Sequence, residues 1–401
     1  MSSWPEDGRK VVLVRKRSAM TTGIKYAKLI TKIRKTAWYS RIRQYFPMPS
    51  PGCVDDHATV NDAEIITIDW PLHIPKPNVG IVLDEGIWPR WTKYRRFLEN
   101  NAFDHNIYDL HASDWIKKAE KFDLVVGFPS STTWELTEFR RKYYVLEKFL
   151  GKRCFPSPDH VNLYEDKFLE ADLAEIYNLP FIKTYTAHNE ANAQRLIETL
   201  QYPVVSKVNP SSGSMGVELV RTKKDARRLV KQAFSRLGRS TYTNHFRQKN
   251  YIYFQEFIPN DGYDLRAIVI GNWVFGYYRK ILAGDFRASG MNLVELRDIP
   301  EEAMKVALRV NEFIKSPMLA VDMLHALDGN YYVIEYSPVC LSELPEDLIV
   351  NGVPGVYMFD GIDSFHFKPG KYWVAELALR EFLLKDYLPF KEIVSFESDQ
   401  A

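Results

Sequence analysis

From residue 79 onward, short apolar runs alternate with stretches of helical spacing. Val79–Leu83 and Leu124–Val126 are continuous apolar runs of strand length, and Asn106–Leu110 is strand-like. Between and after them, Trp91–Asn101 and Trp134–Leu150 repeat apolar residues at helical intervals, the second closed by Gly151. Strands alternating with helices predict a parallel sheet, so residues 79–158 are expected to form a small doubly wound α/β domain. A second α/β stretch occupies 159–240, with helix Asp166–Tyr177, strand Phe181–Thr184, helix Asn189–Leu200, strands Val204–Val208 and Val217–Val220, and helix Lys224–Leu237. In the third stretch, 241–401, strands dominate: Tyr251–Phe257, Leu265–Ile270, Val274–Ile281, Leu319–Ala326 and Tyr331–Glu335, interrupted by helix Glu301–Ile314 and followed by a helical tail at Trp373–Leu384. Residues 1–78 read differently. Six prolines between Pro47 and Pro77 break the region into an extended connector, with one short strand expected at Glu64–Ile68.

Composition changes this picture only at the N-terminus. The chain of 401 residues is long enough for two or three cores and has the apolar and charged fractions of a soluble protein. No apolar run is long enough to span a bilayer, and Met1–Gly8 is too polar for a secretory signal. Cys53, Cys154 and Cys340 match neither a zinc spacing nor a disulfide framework, so a cytoplasmic setting is expected. The formal net charge of +2 hides an asymmetry. No Asp or Glu lies between Gly8 and Val54, which hold twelve Lys and Arg; with Glu6 and Asp7 set aside, residues 55–401 carry −8. Tyr26, Leu29, Ile30, Ile33 and Ala37 are spaced as one helical face among lysines. A basic arm of this kind, residues 9–46, fits peripheral attachment to an anionic membrane surface. It fits better a helix packed on the body with solvated lysines, and less well a nucleic-acid contact.

The chemistry concentrates downstream. Strand Val204–Val208 carries Lys207 and leads into Ser211, Ser212, Gly213, Ser214, Met215 and Gly216, followed by another apolar strand. A loop of small residues between strands can lay backbone N–H groups on phosphate oxygens, and the lysine can add a point charge; alone, such a hairpin is more often a simple turn. Gln255, Glu256, Phe257 and Ile258 end an aromatic-rich strand and run into Pro-Asn-Asp-Gly, a hinge whose backbone can read an adenine edge. Asp264 and Arg266 share one face of the next strand, where the acid suits ribose hydroxyls and the guanidinium phosphate, or the two form a surface ion pair. Arg279 precedes the small-residue segment Gly284–Gly290 and Arg287 lies within it; both suit an anionic substrate or oxyanion. Asp322 and Glu335 are acids embedded in apolar strands, a costly placement unless they are paired or hold a metal such as Mg²⁺.

Taken in order, these residues resemble the ATP-grasp superfamily, in particular the branch of glutathione synthetase and the ribosomal-protein glutamate ligase. The resemblance runs from about Tyr164 to Pro338 and implies two α+β lobes clasping ATP, with residues 79–158 as the preceding substrate domain. It implies that Lys167, in an Asp-Lys pair, and Lys207 contact phosphate; that Ser211–Gly216 grasps the phosphates; that Gln255–Ile258 holds adenine; and that Asp264 holds ribose. Arg266, Arg279 and Arg287 fall at basic positions near phosphates and the acyl group, and Asp322 and Glu335 at Mg²⁺ carboxylates. The family's third metal ligand is an Asn in Glu-x-Asn; here Ser337 occupies that place. The Gly284–Gly290 segment and the tail from Gly355 to Phe367 resemble a subgroup encoded with surface-polysaccharide genes, implying a uronic-acid-type carboxylate. The expected activity is ATP-dependent joining of a carboxylate to an amine or amino acid through an acyl phosphate. A phosphotransferase, or an ATP-binding scaffold without turnover, are the alternatives; the acid, the amine and any homo-oligomer are left open.

Overall fold

The computed structural model describes residues 62–84, 89–131, 133–211, 213–214, 216–241, 246–282, 285–287, 293–340, 345 and 347–398. The basic arm, Ser212, Met215 and most of the Gly284–Gly290 segment therefore lie outside the described residues. Apart from residues 240–247, the described residues fall in one compact unit drawn from Pro51–Arg239 and Gln248–Ala401.

The first sheet is parallel, in the spatial order His105–Ile107, Val79–Ile81, Leu124–Val126, Arg153–Phe155. The three residues of Val79–Ile81 and of Leu124–Val126 are buried throughout, which is why they read as unbroken apolar runs. Strand Arg153–Phe155 and the short helix Pro158–Leu163 lack a distinctive pattern and escape the sequence reading. The strand expected at Glu64–Ile68 does not form. Its backbone is satisfied elsewhere: Ile68 N–H donates to Asn101 Oδ1, Asn101 Nδ2 donates to Ile66 O, and Glu64 N–H donates to Lys371 O. An asparagine side chain takes the place of a neighbouring strand.

The second sheet is antiparallel: Thr184–Ala187, Ile252–Glu256, Val204–Ser206, Glu218–Val220. Helices Glu190–Thr199 and Lys223–Ala233 close it through a core of Ala193, Ile197, Ala226, Leu229 and Val230 against Val204, Ile252 and Phe254. Ile252–Glu256 thus belongs with the segment before it, although sequence spacing grouped it with the strands that follow. The chain then crosses in three residues, Phe257–Pro259, into strand Asn260–Ile270 of the third sheet.

That third sheet runs Tyr331–Ser337, Leu319–Ala326, Asn260–Ile270, Trp273–Lys280, Val353–Phe359, Ile349–Val350, with Val294–Glu295 and Phe365–Pro369 paired alongside. One face packs on helix Glu301–Ile314 through Ala303, Met304, Ala307 and Val310, against Leu265, Ala267, Val269 and Val321. The opposite face divides. Ile268, Ile270 and Ala320 join the first sheet and the tail helix Val374–Phe382 in a shared core, while Asp264, Arg266 and Asp322, alternating with the helix-facing residues, carry the charge.

Candidate active site at the junction of two sheets

The site is built where the second and third sheets meet. Two lysines reach it from the second-sheet side. Asp166 caps helix Lys167–Ile176 by accepting from Phe168 and Leu169 N–H, and Asn209 ties that cap to the strand after Lys207: its Oδ1 accepts from Lys167 N–H and its Nδ2 donates to Asp166 Oδ1. So fixed, Lys167 Nζ donates to Ser211 O at 2.6 Å and lies 3.4 Å from Glu335 Oε1. Lys207 Nζ donates to Ile334 O at 3.0 Å, one residue from Glu335. Gln255 Nε2 approaches the same Ile334 carbonyl and donates to Thr184 Oγ1. Backbone bonds between Ile182 N–H and Val333 O, and between Val333 N–H and Pro180 O, stitch the sheets together at this point.

The third sheet supplies a row of charges set by register. Glu335 stands opposite Asp322, and Asp322 opposite Arg266. Asp264 stands opposite Arg279. Arg266 grips Asp322 with Nε and Nη2 at 2.7 and 2.8 Å; Arg279 Nη2 reaches both Asp264 oxygens at 2.7 Å and Asp322 Oδ2 at 2.7 Å. Burial alone would push the Asp322 carboxyl up, but Arg266 and Arg279 hold it well below its usual range. Asp264 has weaker compensation, and burial, opposed by Arg279, lifts it to about 6. Burial disfavours the charge on Lys167, yet Glu335, Glu170 and Glu165 outweigh it and raise the lysine's pKa; Lys207, also buried, is lowered.

Lys167, Lys207, Glu335, Asp322, Arg266, Arg279 and Gln255 are therefore brought into one connected cluster. Other expected site residues are engaged in ways the sequence did not predict. Asp264 is buried in its ion pair with Arg279, which occupies the carboxylate expected to face a ribose. Arg287 is held by Asp285 at 2.9–3.0 Å, and that hydrogen-bonded pairing lowers the Asp285 carboxyl to about 2. Ser337 Oγ donates to Val339 O at 2.6 Å. In the hinge, Glu256 Oε1 accepts from Tyr185 O–H at 2.6 Å, and Phe257 and Ile258 are half-buried. Gly213, Ser214 and Gly216 all have left-handed backbone, at φ 58°, 58° and 73°. A side chain at Gly216 would meet Val208 Cγ2 at 2.7 Å, so this turn requires glycine. Two acids that sequence reasoning did not select, Glu165 and Glu170, are buried beside Lys167. Their only signal was proximity to the Asp-Lys pair.

Among the described residues no cluster of three His, Cys, Asp or Glu side chains is placed to hold a metal ion by itself. The donor set nevertheless fits Mg²⁺, which takes one or two carboxylates and completes its shell with water and phosphate oxygens. Glu335 is the open carboxylate, engaged only by Lys167; Asp322 faces it across the strands with its oxygens already accepting from two arginines.

An antiparallel lobe joined by a three-residue crossing to a charged sheet, with paired lysines and a glycine turn between them, defines the ATP-grasp class. Residues 165–349 match the model of the RimK-like ATP-grasp domain. The chain is 29% identical over 265 residues to the alpha-aminoadipate–LysW ligase LysX of Saccharolobus solfataricus, covering 63% of this chain and 90% of that protein. It is 32% identical over 178 residues to the coenzyme gamma-F420-2:alpha-L-glutamate ligase of Methanocaldococcus jannaschii, covering 43% of this chain and 57% of that one. Among solved structures, D-cycloserine synthetase DcsG superposes with a TM-score of 0.50 at 14% identity over 66% of this chain and 93% of its own, a likeness of fold. Among the described residues no helix is long and apolar enough to cross a membrane.

Proposed function

We propose that this protein is an ATP-dependent ligase that joins a carboxylate to the amino group of an acidic amino acid through an acyl phosphate. The observation that carries the reading is the convergence at Ile334–Glu335: Lys207 from the second sheet bonds to Ile334 O, and Lys167 lies 3.4 Å from Glu335. Cations from one lobe and carboxylates from the other meet at one point, as a triphosphate with its metal requires. An acidic amino acid is favoured because four relatives are named as ligases of glutamate or α-aminoadipate.

A carboxylate oxygen is a poor leaving group, so condensation with an amine needs activation. Lys167, Lys207 and the N–H groups of the Gly213–Gly216 turn would hold the phosphates of ATP, and the Gln255–Ile258 crossing would border its base. Glu335, with Asp322 opposite, would hold Mg²⁺, which when bound neutralises phosphate charge. Arg266 and Arg279 would keep Asp322 ionised and present a positive floor under the acyl group. Catalysis is then mostly positioning and charge neutralisation. The uronic-acid form of the carboxylate is supported only by the resemblance of Gly284–Gly290 and the tail, and the membrane role of residues 9–46 only by their charge.

The test is ADP release and hydroxamate formation with hydroxylamine over a panel of carboxylates, followed by amide formation with L-glutamate. Lys207→Ala and Glu335→Ala are each expected to lower turnover by about 10²-fold. Near-wild-type activity in both variants would remove the assignment. A phosphorylated product formed without amine would favour a phosphotransferase instead.

A further inference from the structure

Glu165 sits immediately before the Asp166-Lys167 pair; its side chain takes no part in the helix cap and meets Lys167 only through charge. Its backbone is in the left-handed region, at φ 61°, an unfavourable conformation for a long side chain. The surroundings impose it. On one side Arg140 Nη2 donates to Tyr164 O at 2.7 Å and to Asn162 O at 3.2 Å. On the other, Asp166 is fixed by its cap and by Asn209. The result turns the carboxyl inward. Glu165 is 8% exposed, and its Oε2 is buried with no hydrogen-bond partner among the described residues.

The charged and titratable groups around it are Lys167, Glu335, Arg266 and Arg140, with Tyr164 and Glu170 nearby. The other acids of the site are engaged. Asp322 and Asp264 are gripped by arginines, Asp166 caps a helix, and Glu335 meets Lys167. Glu170 is buried beside Lys167 and Lys207, and burial together with Glu335 raises its carboxyl well above the usual range against their pull. Glu165 is also at the edge toward the first domain, since the adjoining Tyr164 hydroxyl bonds to Ser131 in the loop after strand Leu124–Val126. Loops at the carboxyl ends of parallel strands are where open α/β sheets receive small ligands.

We propose that Glu165 receives the attacking amine and is the general base of the ligation, an inference that rests on the ligase reading above. The ammonium group of the acceptor gives one proton to Glu165 Oε2. The freed nitrogen lone pair forms the C–N bond at the acyl phosphate carbon. The C–O bond to phosphate then breaks, its electron pair leaving with phosphate, and the second nitrogen proton goes to that phosphate. Glu165 afterwards releases its proton to water. Burial pushes the Glu165 carboxyl up to about 7, with Glu335 adding to the effect and Lys167, Arg266 and Arg140 opposing it, which suits a base working near neutrality.

The experiment compares wild type with Glu165→Gln and Glu165→Gly, the second of which also relieves the left-handed backbone. Hydroxylamine is largely unprotonated at neutral pH and needs no base, so it reports acyl phosphate formation alone, whereas L-glutamate reports the complete reaction. Both variants are expected to form hydroxamate within about threefold of wild type while amide formation at pH 7 falls about 10²-fold. The amide rate of the variants should then climb about tenfold per pH unit toward the acceptor's own pKa. Amide formation near wild type at pH 7 would overturn the proposal, as would hydroxamate and amide falling together in both variants. A wild type that forms neither product removes the ligase reading and this inference with it.

Discussion

Asp322 accepts from two arginines, and one of them also holds Asp264, so three buried charges and the half-buried Arg266 form a single chain. Such a chain contributes little net stability when whole, but breaking it leaves a bare buried charge. Arg279→Leu strips Asp264 of its guanidinium and half-frees Asp322; urea unfolding should show a loss of about 3–5 kcal/mol. Ser337→Ala removes only the hydroxyl bonded to Val339 O, so about 1 kcal/mol is expected, with ATP turnover unchanged. A marked rise in the Mg²⁺ requirement of Ser337→Ala would instead assign the hydroxyl to the metal. Glu165 gives a pH-dependent case. Its folded pKa of about 7 lies above the ordinary glutamate value of 4.5, so the folded state binds the extra proton, and stability falls as pH rises from 4.5 through 7. Glu165→Gln should match wild type near pH 4.5 and exceed it by up to about 3 kcal/mol above pH 7 in denaturant melts across that range. The residue types of this site were legible in the sequence; their engagements were not. Asp264 looked free to meet a ribose because nothing local announces Arg279, which is its cross-strand partner only once the register is set.

At the scale of elements, what could be read was what is periodic. Helix Glu301–Ile314 and strand Leu319–Ala326 have in the structure the bounds that their patterns predict, because each buries one regular face. Strand Ile252–Glu256 was recognised as a strand but assigned to the wrong neighbours, since pairing across about fifty residues leaves no local trace. Strands Val353–Phe359 and Phe365–Pro369 have half-exposed, irregular patterns and went unread. The glycine turn was legible as a loop, but its two described glycines are not equivalent. Both have positive φ; only Gly216 is also crowded, by Val208, two residues beyond the end of strand Val204–Ser206. Gly213→Ala should cost about 1 kcal/mol of turn stability and leave nucleotide affinity within a few-fold. Gly216→Ala must displace Val208 or the turn itself, so calorimetric titration with ATP should show a loss of at least about tenfold. Equal affinities in the two variants would mean that the turn does not touch the nucleotide.

For the whole molecule, the tail decides whether the first domain and the third sheet act as one body. Val374, Leu377, Phe382, Leu383 and Tyr387 are buried in a core shared with Val79, Ile81 and Phe97 of the first domain and Ile268 and Phe275 of the third sheet. Within that core lies an ion pair across 280 positions of sequence: Arg96 Nη1 contacts both Glu376 oxygens at 2.7 and 2.8 Å, and Glu376 is fully buried. Desolvation is severe enough to push the Glu376 carboxyl up to about 7 despite Arg96. The pair therefore specifies how the tail docks more than it stabilises the docked state. Glu376→Ala leaves a buried guanidinium without its carboxylate and should lower stability by about 3–5 kcal/mol. The double replacement Arg96→Met with Glu376→Met removes both charges and should recover part of that loss. Recovery cannot be complete, because Arg96 Nη2 also donates to Ala63 O at 2.7 Å, and methionine leaves that carbonyl unpaired. Thermal melts of the two variants beside wild type measure the difference. A double variant as unstable as Glu376→Ala would show that the link from Arg96 to the connector, and not the ion pair, holds the tail against the first sheet.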